Sequence, residues 1–277
     1  MGTVLTAQFV EDIQHALLRG LPVTDHLNQV DQVTLPGLLE FGCLRWAAPR
    51  DIPDLPSAVS RTSLGRVLSA ISSPLGLRAD GNPKQPVRNI DIMPAEFMVI
   101  ANEAFLTGQD WQLFLARFSR SAEAAGLPRR EAAALAASMQ EIADNVVIHS
   151  DSPVPGLAGY HVTPDYAQYC VADVGMGVLS SLRTCPTYAS LQSHREAIRL
   201  ALRDGVSRFG PHDGGFGLGF VFKALVAHWG ELRFRSGEAC LTMSGTDLNA
   251  DLGIEHFPPA LPGFQVSVTC RMRPPAG

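Results

Sequence analysis

Three short segments concentrate the residue types that do chemistry. The first runs Glu141-Ile142-Ala143-Asp144-Asn145-Val146-Val147-Ile148-His149-Ser150. Glu141, Asn145 and His149 stand four apart, which sets a carboxylate, an amide and an imidazole in one stripe down the flank of a helix. That stripe borders an apolar one, Leu135, Ile142 and Val146, so the three polar groups need partners or their desolvation costs energy. The second segment, Tyr169-Cys170-Val171-Ala172-Asp173-Val174-Gly175-Met176-Gly177, carries an apolar strand into an acid and alternating glycines. Gly175 and Gly177 allow a sharp turn and the close approach of a ligand. Asp173 can accept a hydrogen bond from an amino group such as the exocyclic amine of adenine. The third, Asp213-Gly214-Gly215-Phe216-Gly217-Leu218-Gly219, opens a helix expected over Phe216–His228. Glycine-freed amides at a helix N-terminus are a seat for phosphate.

Taken singly, each segment also has a plain structural account: the wet flank of an amphipathic helix, an Asp-Gly turn, a flexible loop. Two common phosphate loops are excluded. Lys223 does not follow a glycine as a Walker A loop requires, and GxGxG after a polar loop is not the GxGxxG that follows a Rossmann strand.

The elements that must position these segments read as follows. The Ala-rich stretch Arg129 to His149 is the clearest helix in the chain. Ala95 to Leu106 and Asp110 to Ala125 also have helical texture, with Asp110 as N-cap, and Gly126-Leu127-Pro128 ends the second. Gly159–Val162 and Tyr166–Ala172 flank a Thr-Pro-Asp turn at 163–165 and read as a hairpin. Residues 178–213 are mostly polar, with a helix from Leu191 to Arg203, and strands follow at Glu231–Arg235, Glu238–Met243 and Phe264–Met272. This is an α+β plan, with helices on one face of a mostly antiparallel sheet.

The N-terminal region, 1–108, is less legible. Asp12 to Leu18 and Ser63 to Ile71 have helical spacing, Leu35 to Ala48 is helix or strand, 49–57 is a proline-rich turn, and 72–90 reads as a linker. No internal repeat is present.

Composition narrows the function class. Across 277 residues, 46% are hydrophobic and 18% charged, enough apolar material for a core and too little charge for a disordered chain. A net charge of −5 gives no bulk attraction to nucleic acid. Five scattered cysteines without a CxxC pair read as reduced, partly buried thiols. The first residues lack the basic and apolar regions of a secretory signal, and no run reaches the roughly 18–20 apolar residues that span a bilayer. A soluble, cytoplasmic protein is expected.

Order and spacing of the three segments together carry a resemblance. ExxxNxxxH, then DxGxG about 25 residues later, then GGxGLG after a variable stretch, resembles the GHKL ATPase superfamily, whose members include histidine kinases, anti-sigma-factor serine kinases, gyrase B and MutL. The likeness spans residues 110–272. It implies a two-layer sandwich of the Bergerat type over 109–277, with 1–108 as an added region of unknown role that could bind a partner. It further implies ATP and Mg²⁺ as ligands. Asn145 would hold the Mg²⁺, with Asp144 competing as the harder anion. Glu141 would be the base, and His149 would lie near the phosphates. Asp173 would read the adenine amine, with Gly175 and Gly177 as the floor. Gly215, Gly217, Leu218 and Gly219 would wrap the triphosphate, and 178–213 would be a lid.

At the start of the last strand, where relatives carry Gly-Thr, this chain reads Gly263-Phe264. No dimerisation helix with a phosphoacceptor histidine is visible; His15 lacks an acidic neighbour there, and His194 and His212 read as solvated loop residues. The resemblance is therefore nearest in style to soluble anti-sigma-factor-type kinases. It implies a signalling kinase or ATPase, of the serine/threonine type, acting on a protein partner. An ATP-gated interaction module with little turnover, and a histidine-kinase-like subunit whose acceptor lies on another chain, are the alternatives. A homodimer is among the assemblies such relatives form.

Overall fold

The chain's structure is a computed structural model that describes residues 3–48, 52, 95–152, 154–203, 206, 230–244 and 253–272. The helix expected over Ser63–Ile71, the 72–90 connection, the 213–219 glycine segment and the Phe216–His228 helix lie outside these residues.

A parallel pair, β1 (Thr3–Leu5) and β2 (Val30–Val33), accompanies α1 (Ala7–Leu18), α2 (Thr24–Asn28) and α3 (Leu35–Ala47). Thr34 caps α3 by accepting from the Gly37 amide at 3.2 Å, with Pro36 in the first turn, so the stretch left open between helix and strand is a helix. Gly37 is needed there because a Cβ would lie 2.3 Å from the Leu5 carbonyl oxygen.

The second group begins with β3 (Ala95–Ile100) and continues through α4 (Glu103–Leu106), α5 (Gln109–Ala124), α6 (Arg129–His149), β4 (Gly156–Val162) and β5 (Tyr166–Ala172). Then come α7 (Gly177–Arg183), a 3₁₀ turn at Pro186–Tyr188, α8 (His194–Ala201), β6 (Glu231–Gly237), β7 (Ala239–Ser244), β8 (Ile254–His256) and β9 (Leu261–Arg271). Seven strands form one sheet in the order β3-β4-β5-β9-β6-β7-β8, and every neighbouring pair is antiparallel.

Two local expectations are corrected. Ala95–Ile100 is an edge strand rather than the start of a helix. Its apolar run satisfies either period, and pairing with β4 decides it. The helix starts only at Glu103, behind the Asn102 cap. Asp110 is not the cap of α5; Gly108 is, and Asp110 sits in the first turn.

Helices pack on both faces of the sheet, not on one. On one face, Trp111, Phe114 and Phe118 of α5 and Leu135, Met139, Ile142 and Val146 of α6 cover Tyr160, Tyr169, Val171, Phe234 and Val268. Phe118 stacks on Tyr160 at 4.9 Å and meets Tyr169 edge-on at 5.9 Å, contacts each worth about 0.5–1.5 kcal/mol beyond burial. Alternate strand residues point the other way. Phe97, Val99, Leu157, Cys170 and Ala172 share a second cluster with Val10 and Ile13 of α1 and Leu38, Leu39 and Phe41 of α3. Among the described residues no helix is long and apolar enough to cross a membrane.

Candidate functional site

The first two segments meet where α6 ends. Ser150 caps the helix C-terminus, its amide donating to the Val146 carbonyl at 3.1 Å, while its own carbonyl accepts from the Met176 amide at 2.8 Å. The turn after β5 therefore rests on the end of α6. Gly175 is required at that contact, because a Cβ would fall 2.0 Å from the Ser150 carbonyl oxygen. Glu141, Asn145 and His149 are all half-buried along the helix leading there. At 1.5 Å per residue, Asn145 stands about 7 Å along the axis from the turn.

Asp173 is fully buried. Its Oδ1 accepts from the Gly175 amide at 2.6 Å, and its Oδ2 is buried with no hydrogen-bond partner among the described residues. Burial pushes the carboxyl up to about 7, against the pull of the Gly175 amide and, more weakly, of the nearby Phe264 amide. A buried carboxylate oxygen left without a donor is costly, and a donor brought by a ligand relieves it.

The walls around Asp173 come from residues distant in sequence. Between Ser236 and Gly237 the β6–β9 register shifts, so that Ser236 faces Phe264 while Gly237 faces Leu261. The two extra residues, Pro262 and Gly263, form a bulge. Gly263 takes φ +78° there, and a Cβ on it would lie 2.5 Å from Asp173 Oδ1. Its carbonyl accepts from Ser236 Oγ at 2.9 Å, and that hydroxyl in turn accepts from the Val178 amide at 3.0 Å. Gln265 Nε2 donates to the Asp173 carbonyl at 3.1 Å and to the Pro262 carbonyl at 2.9 Å. Gly177, with φ +73°, passes close over Ser236 and Gly263. Ser150, Ser236 and Gln265 were not marked by the sequence. Gly263 was noted only as a departure, and a glycine between Pro and Phe was its single visible signal.

On α6, Trp111 Nε1 donates to Gln140 Oε1 at 2.5 Å, and Gln140 Nε2 donates to Asp144 Oδ1 at 2.9 Å. Asp144 is thus held toward α5, and burial and the Glu103 charge raise its carboxyl against that hydrogen bond. Asn145 Nδ2 donates to the Glu141 carbonyl at 2.9 Å, which commits the donor end of the amide and leaves Oδ1 as the end suited to a cation. Burial, then the charge of Asp144, raises the Glu141 carboxyl, making its anion a stronger base.

Gly215, Gly217, Leu218, Gly219 and His212 fall outside the described residues, as does most of 204–213. The rest of the expected lid folds into α7, the 3₁₀ turn and α8 around Leu179, Leu182 and Ala197. His194 is not a solvated loop residue. It begins α8, half-buried, with its ring packed so closely on Gly237 that a Cβ there would lie 2.3 Å away. His15 is exposed on α1. All five cysteines are free and buried; burial pushes Cys240 and Cys270 up to about 12, which disfavours the reactive thiolate at these two. Among the described residues, no three His, Cys, Asp or Glu side chains cluster as metal ligands. Comparison with models of protein families, with curated proteins and with solved structures finds no match in any of the three.

Proposed function

We propose that this chain is an Mg-ATP-binding signalling protein of the GHKL type that transfers phosphate to a protein partner. The observation that carries the reading is the buried Oδ2 of Asp173 at the end of β5, which has no hydrogen-bond partner among the described residues. It is an acceptor suited to an amino donor, beside Gly263, where a Cβ would lie 2.5 Å from Asp173 Oδ1. Adenine offers such a donor on a flat ring. Ser236 brings a hydroxyl to Gly263, which supports the same reading where the resemblance expects a threonine beside that glycine.

In this reading Asn145 holds the cation, and the commitment of Asp144 to Gln140 favours it over its neighbour. Mg²⁺ neutralises phosphate charge when bound. Glu141, raised by burial, takes the proton of the attacking hydroxyl. The 213–219 glycines would hold the phosphates through backbone amides.

The test is calorimetric titration with Mg-ATP of the wild type, Asp173→Asn and Asn145→Ala. Saturable binding is expected, weakened about tenfold to a hundredfold in Asp173→Asn, the loss of one hydrogen bond to a charged group. Wild-type affinity should tighten as pH rises through about 7, as Asp173 ionises and becomes a better acceptor. Equal binding by wild type and Asp173→Asn defeats the site assignment. Binding without labelled phosphate reaching any protein in cell extract replaces the kinase with an ATP-gated interaction module.

A further inference from the structure

The α1/α3 layer reaches the base end of the site through a buried polar chain. Arg235 of β6 is fully buried. Its Nη1 donates to Glu40 Oε2 of α3 at 2.8 Å, and its Nη2 donates to Gln14 Oε1 of α1 at 2.5 Å and to the Pro259 carbonyl at 2.7 Å. Gln14 Nε2 donates in turn to the Ala260 carbonyl at 3.2 Å. Pro259 and Ala260 lie in the connection between β8 and β9, four and three residues before Gly263 in the bulge against Asp173. Leu261 anchors the same connection among the α1 and α3 side chains. Ala172, the residue before Asp173, is buried in the same cluster as Cys43 of α3, so this layer lies beneath the end of β5.

We infer that Gln14 and Arg235 are positioning residues for the nucleotide base: through them α1 sets the 259–263 segment and seats Gly263 against Asp173. The inference rests on the ATP reading above for its ligand but not for its geometry. It makes the N-terminal layer part of the site. By linkage, whatever displaces α1 weakens base binding, and base binding tightens the docking of α1 by the same factor.

Gln14→Glu is the discriminating variant. It keeps an acceptor for Arg235 and replaces the donor to Ala260 by a carboxylate oxygen. Gln14→Leu loses both. Glu96→Gln serves as a stability control, since Glu96 of β3 pairs with Arg117 of α5, away from α1 and the 259–263 segment. The full-length proteins are titrated with ADP and with Mg-tripolyphosphate, and backbone hydrogen exchange is followed across residues 260–264.

Both Gln14 variants are expected to bind ADP about tenfold more weakly with tripolyphosphate affinity unchanged, and to exchange faster across 260–264. Glu96→Gln is expected to melt slightly earlier with ADP affinity intact. ADP affinity within twofold of wild type in a folded Gln14 variant, with unchanged exchange, overturns the inference, as does equal weakening toward both ligands. If the wild type binds no ADP, the nucleotide reading fails by itself. Exchange across 260–264 then decides the positioning role alone, faster exchange upholding it and unchanged exchange overturning it.

Discussion

On one side of the sheet, β5 presents Ala167, Tyr169 and Val171 to an apolar layer built from α5 and α6. On the other, β6 presents Arg233 and Arg235 to Glu11, Gln14 and Glu40. The first side is held by non-directional burial and aromatic packing, which tolerate small shifts and supply most of the stability. The second is held by charges removed from water, whose mutual attraction is largely cancelled by desolvation. A polar seal of this kind adds little net stability, and breaking one partner leaves a buried charge unpaired. The motif residues Asp173 and Gly175 lie at the end of β5, at the border of these two regimes. The acid belongs to the turn above α6, and the segment that walls it is tied to α1.

The comparison can be broken in order of size. Phe118→Ala on the apolar side is expected to cost about 3–5 kcal/mol in urea unfolding, and a cost under 1 kcal/mol would remove that side as the main source of stability. Glu40→Gln on the polar side is expected to cost about 3 kcal/mol, because it strands Arg235 in the interior. Replacing Glu11, Glu40, Arg233 and Arg235 together by apolar residues should instead be near neutral. If both the single and the quadruple replacement destabilise equally, the polar side contributes net stability after all.

The third measurement concerns the border. Asp173 has its pKa raised to about 7 in the fold, so between the unfolded and folded values the native state holds a proton that the unfolded chain does not. Stability then falls as pH rises through that window. Without nucleotide, the wild type is expected to lose about 2–3 kcal/mol more than Asp173→Asn between pH 5 and pH 8. Parallel pH profiles for the two proteins would mean that the acid is not desolvated.

Legibility followed the range of the interactions. α6 and the β4–β5 hairpin were readable because period and turn chemistry act within a few residues, and Arg129–His149 was placed to the residue. The Leu35 stretch was ambiguous, and Ala95–Ile100 was misread, because short apolar runs fit either period and only the β4 partner decides. β8, three residues long, carries too little pattern to be noticed. Of the candidate site residues, Glu141, Asn145, His149, Asp173, Gly175 and Gly177 were visible from spacing. Ser236 and Gln265 were not, since their partners lie 58 and 92 residues away.

By itself, then, the sequence determined the residues offered for chemistry and the helix and strand that carry them, since helical spacing and glycine freedom are local properties. Only the tertiary structure decided that Asp173 is buried with one oxygen unpaired among the described residues, that a bulge brings Gly263 against it, and that α1 and α3 cover the second face through buried charges. Burial and the pairing of distant strands belong to the packed chain, and no local pattern encodes which remote backbone a carboxylate will meet.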